Sequence, residues 1–474
     1  MRLNFTLAAI LTWILAGVST SPGAVQGNTA VWSTPGLPPA SAGTALPFAP
    51  AGGPPFPQAV RPAAGETLAA MAADVSKDVS ALRGWPFKRP VRTETATAEE
   101  VRRYALKDMD ESLGPDKGRL RQAFLRTIGL IPASLDLKAT WLAVLEDQVA
   151  GFYDPEEKTL RLVARGSTPS LIQQMLLAHE LTHALDDQYV DLDAFLHAPA
   201  ARTEDGELAA ESVTEGSATS LMVQYMARKA LSGPLDASEL QQYVAQEAER
   251  DKVLQDAPAY FSAMVGSYVC GTLFLARGPM LALVLTPDNK AVGENFLAAV
   301  RTPPVSTEQI LHPEKYWDAA RRDEPVAIND SAAATWLNGK GRWIVHSDTV
   351  GEMLTAILTA PPGRRPDLAS LDSSAWTNAA SSGWGGDRFY LLASGDTEAE
   401  ARRSLDALRG VWVTAWDTEK DRDEFVSAAG SLARAFIQPD GDKAAVVYFG
   451  FEETERATLV DQFGRQKIVA PASR

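Results

Sequence analysis

The stretch MLLAHELTHALDDQYVDL, Met175 to Leu192, decides how this chain is read. It follows Thr168 and Pro169, a pair that opens a helix, because proline suits the first helical position and threonine caps free amides. In a helix, His179 and His183 stand four residues apart, so both imidazoles leave one face a turn apart and can bind one ion. Glu180 is rotated by about 100° from His179, which lets it reach a water at that ion without being a ligand. Neutral imidazoles completed by a carboxylate suit a single zinc ion, and three protein ligands leave a fourth position open. The chain has only five histidines in 474 residues, so chance on an amphipathic helix is a poor account of the spacing. With Glu180 as general base, the pattern predicts hydrolysis of peptide bonds by water, with no covalent intermediate.

A third ligand must come from elsewhere. AAESVTEGSATSLMVQY (Ala209–Tyr225) reads as the next helix and carries Glu211 and Glu215 on one face. Either closes the site by spacing. Glu215 is preferred, because Gly216 beside it permits close approach to the metal helix, while Glu211 supports it from one turn away. Asp187, four residues after His183, is expected to orient an imidazole or cap neighbouring amides. Tyr153 and Phe152 lie in the first strand of a hairpin read over Gly151 to Val163, and alternation alone leaves open whether Tyr153 faces the cleft. His197 and His346 read as structural.

The totals set the surroundings of this site. A net charge of −15 repels polyphosphates, and no dense Lys/Arg block offers a footprint, so nucleic acid is not an expected partner. Residues 1–24 have the layout of a secretory signal peptide, which predicts export to the periplasm, cell surface or medium; membrane contact is expected only through this segment if it is uncleaved. Residues 25–65, rich in Pro, Gly and Ala, read as a disordered tether. A lone cysteine, Cys270, excludes an internal disulfide. No second apolar segment of membrane length is expected beyond the leader. Helical patterning from residue 66 to 328 and short β-rich runs from 329 to 474 divide the remainder. The expected fold class is α+β: a zincin-like metallopeptidase domain, mainly helical with a small edge-strand sheet, followed by a C-terminal α/β module.

HELTHALDD (His179–Asp187) resembles the zinc helix of thermolysin-like gluzincins, and TEGSAT (Thr214–Thr219) is similar to the third-ligand segment of membrane-alanyl-type aminopeptidases; both imply Glu215 as ligand. A wider resemblance runs through VAGFYDPEEKTLRLV, LAHELTHALDDQYVDL, ESVTEGSAT, PPVSTEQILHPEKY and SGWGGDRFYLL. These occur in this order in a broad family of exported bacterial and haloarchaeal proteins read as zinc metallopeptidases. Members commonly read HALQDQHF where this chain has Asp186 and Tyr189, and often carry an acid where it has Ser217. Within STEQILHPEKY, Ser306 and Gln309 form a capping pattern. Zincins bring a distant histidine or tyrosine to the oxyanion, so His312, and less so Tyr316, are expected to line the site; the plainer reading of His312 is a packed helix end. The alternative function is a non-catalytic zinc-binding envelope or surface protein. An intact Glu180 argues for catalysis, since a structural site closes its fourth position with another ligand.

Overall fold

The computed structural model describes residues 68–148, 151–163, 170–232, 257–339, 341–361, 363–367 and 370–455. The expected signal peptide, tether and Thr168-Pro169 helix start lie outside the described residues. The architecture is mixed α+β, dominated by helices with two small sheets.

Helix α1 (Leu68–Arg83) leads to strand β1 (Arg92–Ala96) and the long helix α2 (Ala98–Ile128). Thr97 caps α2 through a reciprocal box: its hydroxyl accepts the Glu100 N–H at 3.2 Å and its own N–H donates to the Glu100 carboxylate at 2.7 Å. Helix α3 (Leu137–Gln148) then delivers the chain to the hairpin β2 (Gly151–Asp154) and β3 (Thr159–Val163). Asp154 closes the turn by accepting the N–H groups of Glu156 and Glu157, both at 3.0 Å. In this sheet β3 is central, parallel to β1 and antiparallel to β2, so β2 is an edge strand beside the helix that follows.

That helix is α4 (Ser170–Asp186), and it packs on α5 (Glu204–Ser232), which in turn packs on α6 (Ser262–Ala276). Helix α5 is buried on nearly all sides from Leu208 to Ala227, as a helix at the centre of a bundle must be. Its contact with α6 is backbone on backbone. A Cβ on Gly216 would lie 2.2 Å from the Gly271 carbonyl carbon, and one on Gly271 would lie 1.9 Å from the Ser212 oxygen. Gly216 thus admits α6, not α4 as the sequence suggested; two facing glycines are the reason. Contrary to expectation, Ala259–Ala276 is long and apolar enough to cross a membrane, but 78% of it is buried inside the protein, as a core helix requires.

Helices α7 (Lys290–Arg301) and α8 (Thr307–Leu311, capped by Ser306) complete the helical part. The rest comprises α9 (Asp330–Leu337), β4 (Arg342–Asp348), α10 (Gly351–Thr359), β5 (Trp384–Ser394), β6 (Asp406–Trp416), α11 (Glu419–Ala429), β7 (Ala435–Asp440) and β8 (Ala444–Phe449). The sheet order is β4-β5-β6-β8-β7 with every pair antiparallel, so this module is α+β and not α/β. Helix α11 stops at Ala429, Arg434 takes a left-handed φ of 58°, and residues 435 and 436 open β7. The principal core runs across the 328/329 boundary, joining Phe124, Met175 and Phe274 to Trp384, Phe389 and Trp412.

Buried carboxylates sit at that junction. Asp205 accepts the backbone N–H of Thr307 at 2.9 Å and its hydroxyl, and Asp387 accepts the N–H groups of Val350 and Gly351 at 2.9 and 2.8 Å. Burial pushes Asp205 up to about 7 and Asp387 up to about 6, against these bonds. A folded-state pKa above the unfolded value favours the protonated form on folding. The resulting stability is full below about pH 4 and is lost as pH rises toward 7. The metal-free protein should therefore show a higher urea midpoint at pH 5 than at pH 8, and Asp205→Asn should narrow the difference. Equal midpoints in the wild type would refute this.

Candidate metal centre

Helix α4 turns His179 and His183 toward α5, and α5 answers with Glu215. His179 Nε2 lies 3.1 Å from His183 Nε2 and 3.2 Å from Glu215 Oε2, and His183 Nε2 lies 3.4 Å from the same oxygen. All three residues are buried, and these atoms form one of two clusters of metal-ligating type among the described residues. A tetrahedral ion with ligands at about 2.0–2.1 Å separates them by about 3.3–3.4 Å, so the triangle has the edge lengths of a zinc site. Two imidazole nitrogens 3.1 Å apart also require a cation or proton between their lone pairs. Burial raises the Glu215 carboxyl, but His183 and His179 outweigh it and hold the group well below the ordinary range, as an anion. The residues present fit zinc.

Glu180 is buried beside this triangle, and its Oε2 accepts the backbone N–H of Tyr153 at 2.6 Å. The edge strand β2 thereby fixes the carboxylate that the sequence assigned as base. Tyr268 of α6, which sequence reasoning missed, lays its ring nearly parallel to that of His179, with centroids 6.0 Å apart and planes at 20°. Nothing in the sequence near Tyr268 marks it, since a tyrosine in an apolar helix reads as core.

Glu211 lies one turn before Glu215 and does not join the triangle. Burial, together with the Glu207 and Glu215 carboxylates, pushes it up to about 8. Of its two expected roles, Asp187 takes the second and caps a neighbouring amide. Its carboxylate accepts the Tyr153 hydroxyl at 2.8 Å, the Lys158 ammonium at 2.9 Å and the Leu192 N–H at 3.2 Å, so it pins the β2–β3 hairpin to the end of α4. His179 Nδ1 is buried and has no hydrogen-bond partner among the described residues. The Tyr153 ring packs in the cluster of Leu160, Leu177 and Leu181.

His312 and Tyr316 have partners of their own. His312 Nε2 lies 3.0 Å from Glu352 of α10, and the Tyr316 hydroxyl donates to the Thr302 carbonyl. Their segment docks on Asp205, ten residues from Glu215 along α5, or about 15 Å of helix. The plainer reading, a packed helix end, is the one the structure displays. The other acidic cluster, Glu308, Asp323 and Asp417, is filled by the Lys315 ammonium at 2.5, 3.2 and 2.8 Å. STEQILHPEKY thus reads as a strut between the two parts of the fold. His197 binds back to Asp193 and His346 pairs with Asp348, and neither belongs to the His179, His183 and Glu215 triangle.

Asp186, Ser217 and Tyr189 meet in one place. Ser217 donates to Asp186 at 2.6 Å, and both touch the buried guanidinium of Arg83. Tyr189 stacks on Trp85, two residues beyond that arginine, at 4.8 Å.

A family model described as a domain of unknown function, DUF8575, matches residues 341–474, which is most of the C-terminal module. No curated protein and no solved structure matches the chain.

Proposed function

We propose that this protein is an exported zinc-dependent metallopeptidase with a zincin-like helical domain of the gluzincin kind. His179, His183 and Glu215 hold one zinc ion and Glu180 is the general base. The observation that carries this reading is the triangle of ligand atoms at 3.1, 3.2 and 3.4 Å, with a buried carboxylate on the very next residue of α4. Zinc, when bound, supplies Lewis acidity and lowers the pKa of a water molecule. Glu180 takes up the proton of the attacking water on a carboxylate oxygen and returns it to the leaving amine, which spares the reaction a free amide anion. The Tyr153 N–H holds that carboxylate in one rotamer. The substrate is a peptide or protein, and the net charge of −15 disfavours nucleic acid.

The test is metal analysis and cleavage of a broad peptide library. The wild type should carry one zinc per chain and cleave, and His183→Ala should lose both. A wild type that binds zinc yet cleaves no peptide would replace this reading with that of a non-catalytic zinc protein of the envelope.

A further inference from the structure

We infer that Arg83 is the positioning residue that sets the separation of the two metal-binding helices, and so the zinc affinity; this rests on the metal-centre reading above. Arg83 ends α1, outside the α4/α5 pair, and its side chain is fully buried. Its Nη2 donates to Asp186 at 3.1 Å and to Ser217 at 2.7 Å. Asp186 is three residues past His183, and Ser217 is two past Glu215. One nitrogen therefore bonds a residue within three positions of a ligand on each helix. Ser217 also donates directly to Asp186 at 2.6 Å, which closes a three-membered ring of hydrogen bonds across the helix interface.

The other arm of the guanidinium extends this hold along α5. Nη1 donates to Asn289 Oδ1 at 2.6 Å, and the Asn289 amide donates to Gln224 Oε1 at 2.6 Å and Ser220 Oγ at 3.2 Å. Gln224 is itself tied to the carbonyls of Leu283 and Asp288 at 3.1 and 2.9 Å. The arginine is seated as well as bonded. A Cβ on Gly293 of α7 would lie 2.8 Å from Arg83 Cδ, and the Trp85 ring covers the guanidinium at 5.3 Å.

A guanidinium is planar, so its two bonded nitrogens hold their partners at fixed spacing, which a flexible ammonium does not do. Glu215 meets His179 and His183 only across the α4/α5 interface. A slip of a few tenths of an ångström between the helices therefore passes directly into the ligand triangle. The buried pair also demands balance: one carboxylate must face Arg83, but the geometry lets either helix supply it, because residues 186 and 217 touch the same nitrogen.

The experiment measures zinc affinity by competition with a chelating dye, and the melting temperature of the metal-free protein, for the wild type and five variants. Arg83→Met, Arg83→Lys and Asp186→Asn should each weaken zinc about 10- to 100-fold, the range for residues that orient ligands. Combining Asp186→Asn with Ser217→Asp moves the carboxylate to α5 and should bring affinity back to within about threefold of the wild type. Phe124→Leu, a core truncation beside Phe389 and His346, is the control for loss of stability alone and should leave zinc affinity unchanged. Should Arg83→Met not fold, Arg83→Lys and Asp186→Asn carry the comparison.

Folded Arg83→Lys and Asp186→Asn proteins that bind zinc as the wild type does would overturn the inference. So would a folded double variant that does not recover, or a Phe124→Leu protein that loses as much affinity. A wild type that takes up no zinc would instead overturn the metal centre itself, and this inference with it.

Discussion

Replacing Glu180 by glutamine will lower peptide cleavage by about 10²- to 10⁴-fold, the contribution of a positioned general base, while zinc content stays at the wild-type level. Glutamine has the shape of glutamate and keeps an oxygen that accepts the Tyr153 N–H, now at 2.6 Å from Glu180, so the packing against β2 survives. What it loses is the ability to take a proton. The effect should therefore fall on kcat, with KM little changed, because Glu180 is assigned a part in proton transfer and none in holding peptide. Cleavage by Glu180→Gln within threefold of the wild type would remove Glu180 from the mechanism. Loss of zinc in the same variant would mean that the residue serves as a ligand, and the triangle would need redrawing.

The second large effect is predicted for Gly216→Ala. The added methyl would meet the Gly271 carbonyl carbon and oxygen at 2.2 and 2.4 Å and the Thr272 backbone nitrogen at 2.6 Å, none of which can rotate away as a side chain does. Helices α5 and α6 must move apart, at a cost of about 3 kcal/mol, the upper part of the range for overpacking a close-packed core. The neighbouring residue is Glu215, so the same displacement should also weaken zinc binding. Gly430→Ala is the contrast. Gly430 has an ordinary helical φ of −58° and its nearest neighbour would be the Ser427 oxygen at 3.4 Å, so that change should stay within about 0.5 kcal/mol of the wild type. Urea midpoints of the metal-free proteins decide it. A Gly216→Ala protein as stable as the wild type would mean that the glycine contact is not a constraint on the fold.

These predictions separate what was legible in the chain from what was not. His179, Glu180 and His183 could be read because a helix converts sequence spacing into spatial proximity without any help from tertiary contacts. The capping of α8 by Ser306 was legible for the same reason. Gly216 was noticed, but its partner was misassigned, since Gly271 lies on a helix that the sequence did not resolve from its neighbours. His312 and Tyr316 were singled out as polar residues in a distinctive segment; their bonds to Glu352 and Thr302 are structural. The roles of Asp186 and Ser217 were not legible, because their shared partner Arg83 lies 103 and 134 residues away in the chain.

The amino-acid sequence by itself determined the local chemistry: two imidazoles and a carboxylate on one helical turn, and a second helix bearing two acids of which either fitted by spacing. The tertiary structure decided which acid closes the triangle, that β2 holds Glu180, and that the STEQILHPEKY segment is a strut tied by Lys315. The reason is one of range. Helical periodicity fixes neighbours over a few residues, whereas the arrangement of α4, α5 and α6 rests on glycine contacts between α5 and α6, a buried arginine bonded to both α4 and α5, and a packed core whose members lie far apart in the chain.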